Sequence, residues 1–150
     1  MREIVGALIH STGVNAIRFA KDGAHALEAV ASFSPDIIYV DYEMPTMNGL
    51  DFIASIRKLK GDIRYTPMIM LSGHSDPLRI TAARDRGVTE FVCKPVTAKT
   101  VLDRLSHVIL NPRPFVSCKT YFGPDRRRRR ASAYSGPLRR ASDRDQFAEI

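Results

Sequence analysis

The sequence predicts an α/β fold, a doubly wound parallel sheet followed by an arm that has no core of its own. Three observations carry this reading. Short apolar runs at 37–40, 68–71 and 90–93 alternate with helix-like segments, as strand–helix–strand crossovers require. The runs Ile37-Ile38-Tyr39-Val40 and Met68-Ile69-Met70-Leu71 are apolar throughout, the pattern of strands covered on both faces. The charge is unevenly divided: residues 1–110 hold 13 Lys/Arg against 12 Asp/Glu, and residues 111–150 hold 10 against 4. The net charge of +7 therefore belongs mostly to the arm.

Each element has a local reason. Residues 2–12 place Ile4/Leu8 and Val5/Ile9 one helical turn apart and stop at Gly13, which reads as an amphipathic helix. "VNAIRFA" (14–20) reads as a short strand. "AHALEAVAS" (24–32) gathers Leu27, Val30 and Ala31 on one face of a helix, and Pro35-Asp36 closes that unit. After the 37–40 strand, residues 50–59 read as a helix with Phe52, Ile53, Ile56 and Leu59 inward. Beyond the 68–71 strand, Asp76 caps a helix with Pro77 in its first turn and Gly87 past its end. "EFVC" (90–93) is the last strand. Thr97 caps a final helix with Val101, Leu105, Val108 and Ile109 on one face. The count is four candidate strands.

Composition narrows the class. The chain is 150 residues long and 44% hydrophobic, enough for one core. No apolar run approaches the roughly 20 residues of a membrane span. Gly6 interrupts the apolar N-terminal stretch, which lacks the form of a signal peptide. Cys93 and Cys118 make no disulfide framework, and no histidine is spaced with them as a zinc ligand. A reducing, cytoplasmic setting fits.

In parallel sheets, ligands sit beyond the C-terminal ends of the strands. Asp41, Ser72 and Lys94 each stand at such an end and converge if the three strands are neighbours. A carboxylate can act as nucleophile towards a phosphoryl group, an ammonium can pair with its oxygens, and a hydroxyl can bond one of them. Any one of these residues alone would be read as structural. The three together point to phosphoryl transfer.

The motifs "DYEMPTMNG" (41–49), "LSG" (71–73) and "FVCKP" (91–95) resemble those of the receiver domain of two-component response regulators, of the chemotaxis-regulator kind. The resemblance covers about residues 1–110. It implies a flavodoxin-like sheet and identifies Asp41 as the phosphoacceptor, Ser72 as the switch hydroxyl, Lys94 as the partner of the phosphoryl group, and Phe91 as the aromatic that couples phosphorylation to the output face. It implies a cis Lys94–Pro95 bond. It places Glu43 and His74 where receivers tune the lifetime of the phosphoryl group. Asp41 and the Glu43 backbone carbonyl would be ligands of a Mg²⁺ ion.

Receivers begin one strand earlier, in the order 2-1-3-4-5, and that first strand ends in an acidic pair which holds the metal. Here the sequence starts inside the first helix, and the only acidic residue before Asp22 is Glu3. The expectation is an N-terminally shortened receiver rather than a degenerate one, because Asp41, Ser72, Phe91 and Lys94 are all present. Mg²⁺ binding would then be weak or absent. Exposed strand edges would favour a homodimer.

The arm, 111–150, has the Pro, Gly, Ser and Arg content of a disordered segment. "YFGPDRR" (121–127) recurs as "YSGPLRR" (134–140), a repeat that reads as a docking motif or a shared turn. Arg126, Arg127, Arg128, Arg129 and Arg130, with Arg139 and Arg140, could bind a polyanion. The functional expectation is a stand-alone response regulator, phosphorylated by a histidine kinase or phosphotransfer protein and signalling by protein contact around the 76–87 helix. It would be no enzyme beyond its own phosphotransfer and autodephosphorylation. The rival is a phosphorylation-independent binding module acting through its basic arm on a polyanion or a protein.

Overall fold

The computed structural model describes residues 2–127 and the backbone of the two-residue strand Phe147–Ala148. Three strands, β1 (Ile38–Asp41), β2 (Met68–Ser72) and β3 (Glu90–Cys93), form a parallel sheet in the order β1-β2-β3. The register sets Val40 opposite Met70 and Met70 opposite Phe91.

Helices cover both faces. Alternation along β2 sends Met68 and Met70 to one side, where they pack with Val30 of α2 (Gly23–Phe33), Phe52, Ile53 and Ile56 of α3 (Gly49–Lys58), and Ala83 of α4 (Pro77–Asp85). Ile69 and Leu71 face the other side, with Val5 and Ile9 of α1 (Arg2–His10) and Val101, Leu105 and Val108 of α5 (Ala98–Leu110). Each fully buried aliphatic side chain contributes about 1.5–3 kcal/mol, so these two clusters hold the domain together.

The expected caps Asp76 and Thr97 form, and Asp22 and Asn48 cap the two helices for which the sequence set no cap. Asp22, Asn48, Asp76 and Thr97 each accept a backbone N–H from the first turn of α2, α3, α4 and α5. Gly87 follows α4 with φ +90°, the left-handed conformation that spares a Cβ. Three side chains that the helical period placed on apolar faces are outside: Ala31 of α2 is exposed, Leu59 is the exposed residue just past α3, and Ile109 lies on the open side of α5.

The predicted strand at 14–20 is not a strand. A strand needs a neighbour for its N–H and C=O groups, and among the described residues β1 pairs only with β2. The segment lies along α1 instead. Arg2 donates to the Ala20 carbonyl, and the Phe19 ring lies on Gly6, where a Cβ would meet Phe19 Cζ at 2.4 Å.

The arm is also not disordered from its start. Strands β4 (Phe115–Cys118) and β5 (Tyr121–Pro124) form an antiparallel hairpin, and β6 (Phe147–Ala148) pairs with the other edge of β4. Phe115 and Phe122 pack edge-on against Tyr65, each with ring centroids 5.3 Å away. Beneath them lies Arg57, buried at 4% exposure. Its guanidinium donates to the carbonyls of Gly87, Arg64 and Thr66 and sits 4.9 Å from the centre of the Phe115 ring. Burial pushes Arg57 down to about 9. The three carbonyl acceptors keep it charged at neutral pH. Averaging the arm's composition hid the aromatic residues that make the hairpin adhere.

Candidate functional site

The C-terminal ends of the three strands bring Asp41, Ser72 and Lys94 to one edge of the sheet, as the sequence predicts. Asp41 is the last residue of β1 and Ser72 the last of β2, and Lys94 follows β3. The ladder continues one step past the strands: the Tyr42 N–H donates to the Leu71 carbonyl and the Lys94 N–H to the Ser72 carbonyl, each at 2.7 Å. These bonds fix the backbone beside which the Asp41 and Lys94 side chains project.

Lys94 Nζ lies 2.6 Å from Asp41 Oδ2. The other carboxylate oxygen accepts the Glu43 N–H at 3.1 Å. Both side chains are about one-quarter exposed (26% for Lys94, 28% for Asp41), so the pair is reachable from solvent yet shielded enough for its attraction to matter. The peptide bond between Lys94 and Pro95 is cis, in agreement with expectation.

Ser72 is almost fully buried, and its hydroxyl is engaged with the next loop. It donates to the His74 carbonyl at 3.0 Å and accepts the His74 N–H at 3.1 Å. Phe91 is half-buried on β3 and packs on the Met70 side of the sheet.

The loop after Asp41 is held in a strained shape. Thr46 has φ +71°, uncommon for a β-branched residue, and the Met47 N–H bonds to the Pro45 carbonyl across it at 2.8 Å. Glu43 and His74 meet at the mouth of the site, with His74 Nδ1 3.5 Å from Glu43 Oε1. Arg79, which sequence reasoning missed, joins them. Its guanidinium lies 3.2 Å from His74 Nδ1, 3.7 Å from Glu43 Oε1 and 3.3 Å from Asp76 Oδ2, over the Tyr42 ring at 5.1 Å. Its place in the first turn of α4, three residues after the cap, was the available signal.

A family model for the response regulator receiver domain matches residues 1–106. The chain belongs to that family. Chemotaxis protein CheY-3 of Vibrio cholerae is 31% identical over 108 residues, 72% of this chain and 82% of that one. The sensory/regulatory protein RpfC of Xanthomonas campestris is 36% identical over 95 residues, which are 63% of this chain and only 13% of RpfC. The solved structure of V. cholerae CheY4 superposes with a TM-score of 0.67 at 28% identity, covering 71% of this chain and 88% of that one. The flavodoxin-like receiver fold is thereby established. So is membership in two-component phosphorelay signalling.

The magnesium expectation meets a sparse donor set. The receiver domain of the sensor kinase PA1611 of Pseudomonas aeruginosa, a fold neighbour at 20% identity and TM-score 0.65 that covers 73% of this chain and 88% of that one, has a magnesium ion in its active-site cleft. Mg²⁺ favours a near-octahedral set of oxygens. Among the described residues of this chain, no group of three or more His, Cys, Asp or Glu side chains could hold a metal. Both Asp41 oxygens are already engaged by Lys94 and the Glu43 N–H. The residues present do not complete the site.

Of the arginines assigned to polyanion binding, Arg126 pairs with Asp85 at 2.8 Å. The Arg127 N–H bonds to Asp125 Oδ1 at 3.0 Å. Arg128, Arg129, Arg130, Arg139 and Arg140 lie outside the described residues. Among the described residues no helix is long and apolar enough to cross a membrane.

Proposed function

We propose that Asp41 accepts a phosphoryl group from a phosphohistidine of a histidine kinase or phosphotransfer protein, and that the chain signals as a stand-alone response regulator through protein contacts. The observation that carries this reading is the 2.6 Å bond from Lys94 to Asp41 at the open edge of the sheet. A carboxylate oxygen attacks phosphorus, the P–N bond breaks, and the imidazole leaves with its electron pair and takes up a proton. Lys94 then shifts its ammonium from the carboxylate to an oxygen of the acyl phosphate, where the charge now lies.

Ser72 responds next. Its hydroxyl leaves the His74 carbonyl to donate to a phosphoryl oxygen, which draws the 73–75 loop towards Asp41. Phe91, half-buried on the neighbouring strand, moves into the space this vacates and alters the face around α4. Leu78 on that helix is 82% exposed, which leaves an apolar contact for an output protein. Glu43 and His74, tied to Arg79, line the path of attacking water and so set how long the acyl phosphate lasts. The chain's own chemistry is limited to gaining and losing that group.

The test is transfer of labelled phosphate from a phosphorylated phosphotransfer protein. Wild-type chain should become labelled and Asp41→Asn should not. Equal labelling of the two would refute the assignment. The second reading, polyanion binding by the arm, draws on its 10 Lys/Arg against 4 Asp/Glu. Counterion release then requires a log–log salt slope of about −0.9 per phosphate neutralised on duplex DNA. A flat salt dependence ends it.

A further inference from the structure

The hairpin docks at the end of the sheet opposite Asp41. Its contacts are Gly87, which precedes β3; Tyr65, which precedes β2; and Arg57 near the end of α3. Phosphotransfer uses none of these residues.

The repeat gives this end a meaning. In the first copy, four of the five positions shared with the second have a visible side-chain or packing task; the fifth pair is Arg127 and Arg140. Tyr121 folds its hydroxyl back to donate to the Pro124 carbonyl at 2.7 Å. Gly123 lies flat against Gly87: a Cβ on it would meet the Gly87 Cα at 2.9 Å and the Tyr121 hydroxyl at 2.6 Å. Pro124 is fully buried. Arg126 reaches Asp85 at 2.8 Å while stacked 4.6 Å from the Tyr121 ring centre. The second copy keeps all four, as Tyr134, Gly136, Pro137 and Arg139.

The unshared positions are informative too. Asp125 bonds to the Pro114 carbonyl through its backbone N–H at 2.8 Å, and the one hydrogen bond its side chain accepts, from the Arg127 N–H, stays within the arm. Its counterpart is Leu138. Phe122, by contrast, lies 3.6 Å beneath the Arg64 guanidinium and packs on Tyr65 and Phe115. Its counterpart is Ser135. The residues that define the fit recur, and the residue that adds most grip does not.

We propose that Asp85, Gly87 and the surface over Arg57 form a docking cradle for the sequence Tyr-x-Gly-Pro-x-Arg, and that residues 134–139 of the same chain are a second, weaker ligand that exchanges there with residues 121–126. Tethering keeps the local concentration of the second copy high, so its weaker grip suffices for exchange.

Disulfide trapping tests this in the full chain, with Cys93→Ser and Cys118→Ser removing the native thiols. Asp85→Cys is combined with Arg126→Cys, Arg139→Cys or Ala131→Cys, the last being in the arm but outside either copy. Under mild oxidation the Arg126→Cys pair should close fastest. The Arg139→Cys pair should close at least about tenfold faster than the Ala131→Cys pair, with the linked product running as a monomer. Adding Phe122→Ser should speed the Arg139→Cys pair and slow the Arg126→Cys pair. Adding Gly136→Val, which leaves the first copy untouched, should drop the Arg139→Cys rate to that of Ala131→Cys. The proposal is overturned if Arg139→Cys closes no faster than Ala131→Cys, if Gly136→Val changes nothing, or if the Arg139→Cys link forms only between chains.

Discussion

Gly49 and the backbone of Asp41 touch so closely that a Cβ on Gly49 would lie 2.3 Å from the Asp41 carbonyl oxygen. The first residue of α3 thus packs directly on the end of β1, and the Gly49 N–H bonds to the Tyr42 carbonyl at 2.9 Å. The glycine in "MPTMNG" is there for space, and that space fixes where the carboxylate sits.

Gly49→Ala should therefore push α3 away from β1. The neighbour is backbone and cannot swing aside, so the cost should be about 1–3 kcal/mol. Labelling of Asp41 should slow in the same variant, because the carboxylate moves with its carbonyl. Urea unfolding and the phosphorylation rate measure the two effects. A variant as stable and as fast as wild type would show that the loop yields freely.

Lys94→Ala should affect signalling more than stability. The Lys94–Asp41 pair is about one-quarter exposed, and a partly solvated pair of this kind is worth within about 1 kcal/mol. Thermal melts should stay close to wild type. The phosphorylation-dependent change in the Phe91 ring, followed by NMR, should disappear. A melting temperature that collapses along with the response would make Lys94 a structural residue first.

Phe115→Ala should cost about 3 kcal/mol or more, the usual range for a phenylalanine removed from a packed site. It strips one ring from the aromatic cluster and uncovers Arg57. Asp41 labelling should be unchanged, because the hairpin lies at the other end of the strands. Slower labelling would reveal coupling between the two ends.

Alkaline pH should loosen the hairpin through Tyr121. Burial pushes its phenol up to about 12. Between the ordinary value near 10 and that value, the folded chain keeps a proton that the unfolded chain sheds. Unfolding then releases protons, and stability falls as pH rises through that window. Tyr121→Phe should remove this part of the alkaline loss, while losing the hydrogen bond to Pro124 at every pH. Unfolding midpoints at pH 9 and 11 test it. An identical alkaline fall in wild type and variant would contradict the account.

The sheet and the edge that carries Asp41, Ser72 and Lys94 were legible because their signals are local. Asp41, Ser72 and Lys94 each follow an apolar run, and a parallel arrangement brings such positions together. The segment 14–20 has the composition of a strand, but a strand is a relationship, and no partner among the described residues gives it one. The hairpin was hidden by the opposite effect. The arginines around Phe115, Tyr121 and Phe122 dominate the composition of the arm, and the value of those aromatics depends on Arg57 and Tyr65, fifty or more residues earlier. Arg79 escaped notice because its partners Tyr42 and Glu43 come from a different loop. Period alone misplaced Leu59 and Ile109, since one lies past its helix and the other on an uncovered face.

The central claim is that the phosphoryl group resides on Asp41, and chemical mapping of the acyl phosphate addresses it most directly. After phosphotransfer, borohydride reduces an aspartyl phosphate to homoserine, which peptide mass spectrometry locates by position. The account predicts homoserine at position 41 alone, and none in chain that has not been phosphorylated. Homoserine at another aspartate with position 41 unmodified would contradict it.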